Sequence, residues 1–410
     1  MILVKLVWAS MVSRKGMLGL TVFSIAISML VLMSVAHLQS QLKDNFQRSV
    51  SGVDLIVGSR TSSLNLLLFS IFKIGYPSNN LQYSSLAAIQ DNAQVAWAVP
   101  ISLGDSHNGH TVIGTTDAYF THLKYADKQP LNFAQGGPFQ QTFELVLGAA
   151  VAAEHAYTLG QAIILAHGAG KVSFTHHKNH PFTVVGILAP TGTPMDHSVY
   201  IPLSSVPLLH HSANTLTSEH NEQPSVSEQS LSAILVGAKS RIAVLSLQRD
   251  ISQFRAEPLS AIIPGVTLQE LWRLMAAVET SLQIISLLVL LAALIGMATM
   301  LLASMRERQH ELSVLRALGA RPWLILLLVE AEALCLSLAG CVVGYILLLA
   351  GLQLTAPLLL AEYSLSIAAF PELSMLARYL FSTLLLSAVL AFIPAFSAYR
   401  QSLQQGLNFR

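Results

Sequence analysis

Four stretches of this sequence, about Met17–Leu38, Ser281–Ala303, Trp323–Leu352 and Leu373–Ser397, run for more than twenty residues with few charges. A helix needs about 20 predominantly apolar residues to cross a ~30 Å hydrocarbon layer. Within that layer, a helix satisfies all its backbone polar groups inside one segment. Each run therefore predicts a membrane helix. Their order limits the fold more than any other feature: one span, a long polar interval over 39–271, then three spans close together. Charged residues make up 11% of the chain, far below the roughly 25% of a soluble domain, and the mean hydropathy of +0.56 agrees. The expected fold class is an α-helical integral membrane protein with four transmembrane helices and a large mixed α/β domain between the first and second.

Positive charge sets the expected orientation. Lys5, Arg14 and Lys15 precede the first span, Arg306, Arg308, Arg316 and Arg321 separate the second from the third, and Arg400 and Arg410 follow the fourth. The third loop holds Glu362 and Glu372 with no Lys or Arg before Arg378. The positive-inside rule puts both termini and 304–322 in the cytoplasm and 39–271 outside. The first apolar run exceeds the about 7–15 residues of a signal-peptide core and lacks a small-residue cleavage site, so it is expected to stay as a span. Cys335 and Cys341 both fall in the third span. The external domain therefore has no disulfide framework and must be held by its own core. A net charge of +1 gives no reason to expect nucleic acid.

The expected division is a surface amphipathic helix over 1–16, with Trp8 at the interface, and a first span over 17–38. The external domain with helical stems follows over 39–271, then a stem and second span over 272–303 and a cytoplasmic segment over 304–322. A third span over 323–352, an outer loop over 353–372, a fourth span over 373–397 and a tail over 398–410 complete it. Within the external part, "GVDLIVG", "NAQVAWAVPISLG" and "SAILVGA" read as strands. "FELVLGAAVAAEHAYTLGQAIILA" reads as strand, helix, strand, and "KVSFTHHKNHPFTVVGIL" as a hairpin. Residues 204–230 are polar and turn-rich, a long loop, and "VTLQELWRLMAAVETSLQIISLLVL" is helical straight into the second span.

The segment "RERQHELSVLRALGARP", Arg306 to Pro322, is densely charged between two hydrocarbon runs. As a helix it sets Leu312, Leu315 and Leu318 near one face; Gly319 suits a helix C-terminus and Pro322 the first turn of the next helix. Periodicity alone leaves two readings open: an ordinary positive-inside loop snorkelling into the headgroups, or a short amphipathic helix at the inner surface followed by a sharp turn into the third span. "HGAGKVSF" is not a phosphate-binding loop, because Val172 replaces the hydroxyl residue after Gly170-Lys171 and Leu165 stands where the first glycine belongs.

"RERQHELSVLRALGARPWLILLLVEAEALCLSLAGCVVG" resembles the FtsX-type permease core, through Glu307, Arg308, Glu311, Leu312, Val314, Leu315, Arg316, Ala317, Leu318, Gly319 and Ala320, with Glu332-Ala333-Leu334 opening the next span. "KLVWASMVSRKGMLGL", "IPAFSAYRQSLQQGL" and the order of the spans are similar too. The resemblance is to permease subunits of MacB-like and LolC/LolE-like ABC transporters, in the bacterial inner membrane with the large domain periplasmic. It implies that 304–322 holds a coupling helix, contributed by Arg306, Glu307, Arg308, Glu311, Leu312, Leu315, Arg316, Leu318, Gly319 and Ala320, which docks on a separate cytoplasmic ABC ATPase dimer. It implies that ATP and magnesium belong to that partner, that this chain is not itself an enzyme, and that motion is passed through the stems to the periplasmic domain.

Glu330 and Glu332 lie in the cytoplasmic half of the third span, where ionisable groups are costly. They are read as paired with basic residues or a subunit contact, with a functional role as the competing reading. Gly340–Gly344 is a GxxxG pattern that permits close helix approach and is compatible with a dimer seam. Four spans make a poor pore, so a second copy or a paralogue is expected.

The chain has 14 histidines, twelve of them between His107 and His220, where an even spread would leave about four, and such enrichment raises metal binding. The candidate ligands are His167, His176, His177, His180, Asp196, His197, His210, His211 and His220, suited to zinc, copper or nickel. No tight zinc spacing is present, so an open acceptor surface is expected rather than a closed structural site; solvated or pH-responsive surface histidines are the alternative. "HPFTVVGILAPTGTPMD" resembles a MacB-like branch whose members look like partners of His-rich periplasmic metal-binding proteins in zinc-responsive systems, which implies zinc as cargo or ligand. Extraction of a lipoprotein, peptide or amphiphile, and signal transduction to a periplasmic enzyme without transport, remain the competing functions.

Overall fold

The structure, a computed structural model, describes residues 15–167, 175–176, 181–211, 230–307, 320–363 and 365–405. The chain divides into two compact units: residues 1–41, 276–357 and 367–410 form one, and residues 42–275 with 358–366 form the other.

The first unit holds four helices long and apolar enough to cross a membrane. The helices to which they belong span Lys15–Ser49, Pro264–Glu307, Pro322–Tyr363 and Leu373–Gln405. Leu18, Ile25, Leu294, Met297, Leu301, Val329, Ala333, Leu336, Ala391 and Ala395 are buried between them. Leu20, Phe23, Ile284, Ile346, Phe381 and Phe392 point outward and exposed. A helix apolar on every side is what a lipid surround requires. Polar side chains inside the bundle pair with one another: Ser337 and Ser387 share a hydrogen bond of 2.6 Å, fully buried.

The glycine pattern in the third span has a use within the chain. A Cβ on Gly344 would sit 2.6 Å from the Ala26 carbonyl oxygen and 3.0 Å from the Met29 Cβ, and one on Gly340 would meet Ile25. The small-residue face therefore seats the first helix, so it is not left bare as a seam for a second copy. The first helix continues to Ser49, as the helical stem expected after the first span. One boundary differs from expectation: the third helix continues past Pro357 to Tyr363, so much of the interval 353–372 is helix rather than loop. A proline is tolerated there because neighbouring groups can re-satisfy the carbonyl it frees.

The second unit is built on a mixed sheet. Across it the strands run Leu259–Ile262, Leu55–Ser59, Ala233–Ala238, Val95–His107, His110–Thr115, Ser198–Pro202, Glu144–Leu147, Phe182–Leu188 and Phe133–Gly136. Most neighbours are antiparallel; Ser198–Pro202 beside His110–Thr115, and Phe182–Leu188 beside Glu144–Leu147, are parallel. Both faces are covered, which explains the unbroken apolar strand sequences. Ile56, Leu235, Val146 and Tyr200 pack on one face with Tyr119, Phe120 and Leu66. Leu55, Val57, Ile234 and Val236 face the other way, against Leu86, Ile89, Leu247 and Ile251. The side-chain period of two divides each strand between the two cores.

The strands anticipated from "GVDLIVG", "NAQVAWAVPISLG" and "SAILVGA" are present. Of the hairpin expected over 171–188, residues 171–174 and 177–180 lie outside the described residues. Among the described residues, Thr175–His176 pairs with Ala166–His167, and Phe182–Thr183 pairs with Ala162–Ile163, rather than with each other. Of the loop expected over 204–230, Val206–His211 is helical, and 212–229 lie outside the described residues.

Candidate metal centre

Three separate elements of the second unit bring histidines and a carboxylate together. The first is a hairpin written in "HNGH". Asn108 and Gly109 both have positive φ, 50° and 91°, the conformation an Asn-Gly two-residue turn supplies. His107 and His110 are therefore directly opposed across the ladder. The second is the short helix Ala149–Glu154, which ends in Glu154 with His155 at its C-cap. The third is the turn Pro194–His197, which feeds the strand Ser198–Pro202.

Register does the rest. Ser198 pairs with Thr111 in the parallel ladder, so the residues just before them, His197 and His110, come side by side. Their rings lie 5.7 Å apart at 15°. Gly148 draws the helix in: its N–H donates to the Ser198 carbonyl at 2.9 Å. A Cβ there would collide with the carbonyl oxygens of Met195 and Asp196. The helix end thus brings Glu154 Oε2 to 3.2 Å from His110 Nε2.

One ligand atom each from His110, Glu154 and His197 lies within 4.8 Å of the others. His110 is nearly buried, with 10% of its side chain exposed, whereas Glu154 is 54% exposed. The Glu154 contact is within ion-pair range but off the axis of a hydrogen bond, and Nε2 of His110, His155 and His197 are buried with no hydrogen-bond partner among the described residues. An unsatisfied buried polar atom costs about 1–3 kcal/mol, and native proteins seldom leave several together. Burial pushes the pKa of His110 and of His197 below the usual imidazole value; Glu154 opposes this at both, and Asp196 also at His197. Burial thus favours the neutral imidazole at both, the form that binds metal. His107 is differently placed: its Nε2 pairs with the Tyr157 hydroxyl at 2.7 Å and its Nδ1 with the Ile164 carbonyl at 3.0 Å, so both nitrogens are occupied.

His110, Glu154 and His197 line a cavity of about 1000 Å³ within this unit, together with Asn108, Thr111 and Lys73. Burial draws the Lys73 ammonium down to about 7. A donor set of two imidazoles and one carboxylate suits a borderline divalent cation.

The residues singled out from the sequence fare differently. His197 stands in this cluster. Asp196, its neighbour, points elsewhere: its carboxylate accepts from the Thr191 N–H at 2.9 Å, the Thr191 hydroxyl at 2.8 Å and the Gly192 N–H at 2.8 Å, closing the "TGTPMD" loop. Burial raises its pKa, and those hydrogen bonds only partly counter this. It is therefore a loop clamp rather than a ligand of the cluster. His167 and His176 lie on paired two-residue strands, and His210 and His211 end the helix Val206–His211. His177, His180 and His220 lie outside the described residues. His110 and Glu154 were not among the expected ligands. The signal for His110 was the Asn-Gly dipeptide between two histidines, a strong hairpin mark; for Glu154, sequence held none.

Of the expected coupling residues, Arg306 and Glu307 end the second membrane helix and Ala320 precedes the third, which starts at Pro322 as its sequence suggested. Arg308, Glu311, Leu312, Leu315, Arg316, Leu318 and Gly319 lie outside the described residues. Glu332 is buried within the membrane unit and has an interaction partner, and Glu330 is half-buried.

Comparison with known proteins places two family signatures on the chain. The MacB-like periplasmic core domain matches residues 17–254, and the FtsX-like permease C-terminal region matches 283–406. Among solved structures, the periplasmic region of MacB from Actinobacillus actinomycetemcomitans is similar at 15% identity and a TM-score of 0.35, over 56% of this chain and 96% of that one. The extracellular domain of the noncanonic ABC-type transporter YknZ from Gram-positive bacteria is similar at 12% identity and a TM-score of 0.31, over 51% of this chain and 98% of that one. No curated protein matches.

Proposed function

The chain belongs to the MacB-like periplasmic core and FtsX-like permease families, whose members are membrane subunits of ABC transporters working with a cytoplasmic ABC ATPase, and we propose that it acts by mechanotransmission in the handling of a transition metal such as zinc. The observation that carries the mechanical part is the FtsX-like match over 283–406, which encloses the charged segment 304–322 between two membrane helices. In this reading that segment docks on an ATPase dimer that binds and hydrolyses ATP. The chain pairs with a second copy or a paralogue, both termini lie in the cytoplasm, and the sheet-bearing unit lies in the periplasm.

Support for stems that move together comes from the first and second membrane helices. The first is unbroken from Lys15 to Ser49 and the second from Pro264 to Glu307. Gln283 Nε2 donates to Gln39 Oε1 at 3.1 Å, tying one to the other. A nucleotide-driven shift of 304–322 would therefore be carried along two linked helices rather than absorbed by a loop. The metal part of the reading is supported by the histidine enrichment over 107–220 and by the cluster of His110, Glu154 and His197 just described; a His-rich periplasmic protein is the partner it implies.

The docking role has a direct test. Leu315→Asp puts a charge on the apolar face of 304–322. The expected outcome is membrane insertion at the normal level with loss of ATPase co-purification. Undiminished co-purification of that variant would contradict docking through this segment.

A further inference from the structure

We propose that the imidazoles of His110 and His197 and the carboxylate of Glu154 form a binding site for a divalent transition-metal ion, with a further coordination position open to the cavity beside them. The inference deepens the metal-handling part of the reading above and rests on it for its biological meaning.

Geometry supports it first. Nitrogen and oxygen donors about 2.0–2.1 Å from a tetrahedral ion lie roughly 3.3 Å from one another. The His110 Nε2 to Glu154 Oε2 separation is 3.2 Å, and all three ligand atoms lie within 4.8 Å of one another.

A second observation is the hydrogen bonding of the ring nitrogens. Nε2 of both His110 and His197 is buried with no hydrogen-bond partner among the described residues. A cation at the centroid would satisfy both at once and balance the carboxylate. The adjoining His107 is held by Tyr157 and Ile164, so that wall of the site is already fixed.

Donor type and number then select the ion and its role. Calcium and magnesium favour oxygen cages, whereas two imidazoles with one carboxylate favour zinc, nickel or copper. Three protein ligands leave a position free, as in sites that exchange their fourth ligand, whereas closed structural sites use four. The free position faces a cavity of about 1000 Å³ lined by the same three residues. The site is therefore suited to loading and release. His110, Glu154 and His197 are far apart in sequence and meet only when this unit is folded.

The test uses the full chain, purified in lipid nanodiscs and stripped of metal with a chelator. Titration with Co²⁺ is expected to give the visible absorption of a four- or five-coordinate ion, displaced by Zn²⁺. Glu154→Gln, at an exposed carboxylate, should weaken binding at least tenfold without affecting the metal-free melting temperature. His110→Gln combined with His197→Gln should abolish the band, while His122→Gln should leave it unchanged. An unchanged band in the double variant would overturn this site and leave metal handling through other histidines standing. Absence of wild-type binding tighter than millimolar would also overturn it. If the band is lost in the double variant, yet cells carrying that variant keep wild-type zinc content and growth under zinc starvation, the site stands and the metal-handling reading falls.

Discussion

Asp196 and His197 are adjacent in sequence, yet their side chains do different work. The Asp196 carboxylate is 4% exposed and receives two backbone N–H groups and one hydroxyl from Thr191 and Gly192. His197 turns towards His110, because it leads into a strand in parallel register with His110–Thr115. Replacing Asp196 with Ala would leave those N–H groups without acceptors, each worth about 1–3 kcal/mol when buried. Asp196→Ala is therefore expected to lower the stability of this unit by about 2–4 kcal/mol, and Asp196→Asn by roughly half that. Thermal unfolding of the full chain in detergent measures it; an unchanged midpoint for Asp196→Ala would contradict the clamp. At this scale sequence reading found His197 through composition but could not separate it from Asp196. Composition counts ligand types, whereas the division of labour depends on which backbone N–H groups a turn exposes.

At the level of elements, periodicity and apolar length were legible, and pairing was less so. The spans were visible because lipid imposes one pattern on the whole segment. The helix extension to Tyr363 was not, since 353–372 carries polar residues and Pro357, which read in sequence as a helix end. The strand Thr175–His176 pairs with the strand just before it, Ala166–His167, which itself pairs with Asp105–Ser106, and propensity alone does not say which neighbour a short strand takes. The glycine pattern at 340 and 344 was correctly a close-approach signal, but its partner could be named only from the fold. Gly344→Leu would drive a side chain into the Ala26 carbonyl and Met29 Cβ, at 2.6 and 3.0 Å from the first added carbon. Overpacking of this kind costs about 1–3 kcal/mol or more. The expected result is a lower yield of folded chain and an earlier thermal transition, with Gly351→Leu as the neutral control, since nothing lies within 4 Å of a Cβ there. Equal behaviour of the two variants would contradict the intrachain seam.

For the whole molecule, the order of spans and the charge between them already implied an external domain and a polar cytoplasmic segment, and the two family matches over 17–254 and 283–406 agree with that order. The mixed sheet was legible only as a class, because its path crosses between distant segments such as 55–59, 233–238 and 259–262. In the proposed function, a separate ATPase drives the sheet-bearing unit through linked helices. Amide hydrogen exchange of the full permease–ATPase complex in nanodiscs, in ATP-locked and ADP states, tests it most directly. A nucleotide-dependent change in protection over 42–49 and 264–275 is expected, and Leu315→Asp should remove it. Identical exchange there in both nucleotide states, with the ATPase bound, would contradict it.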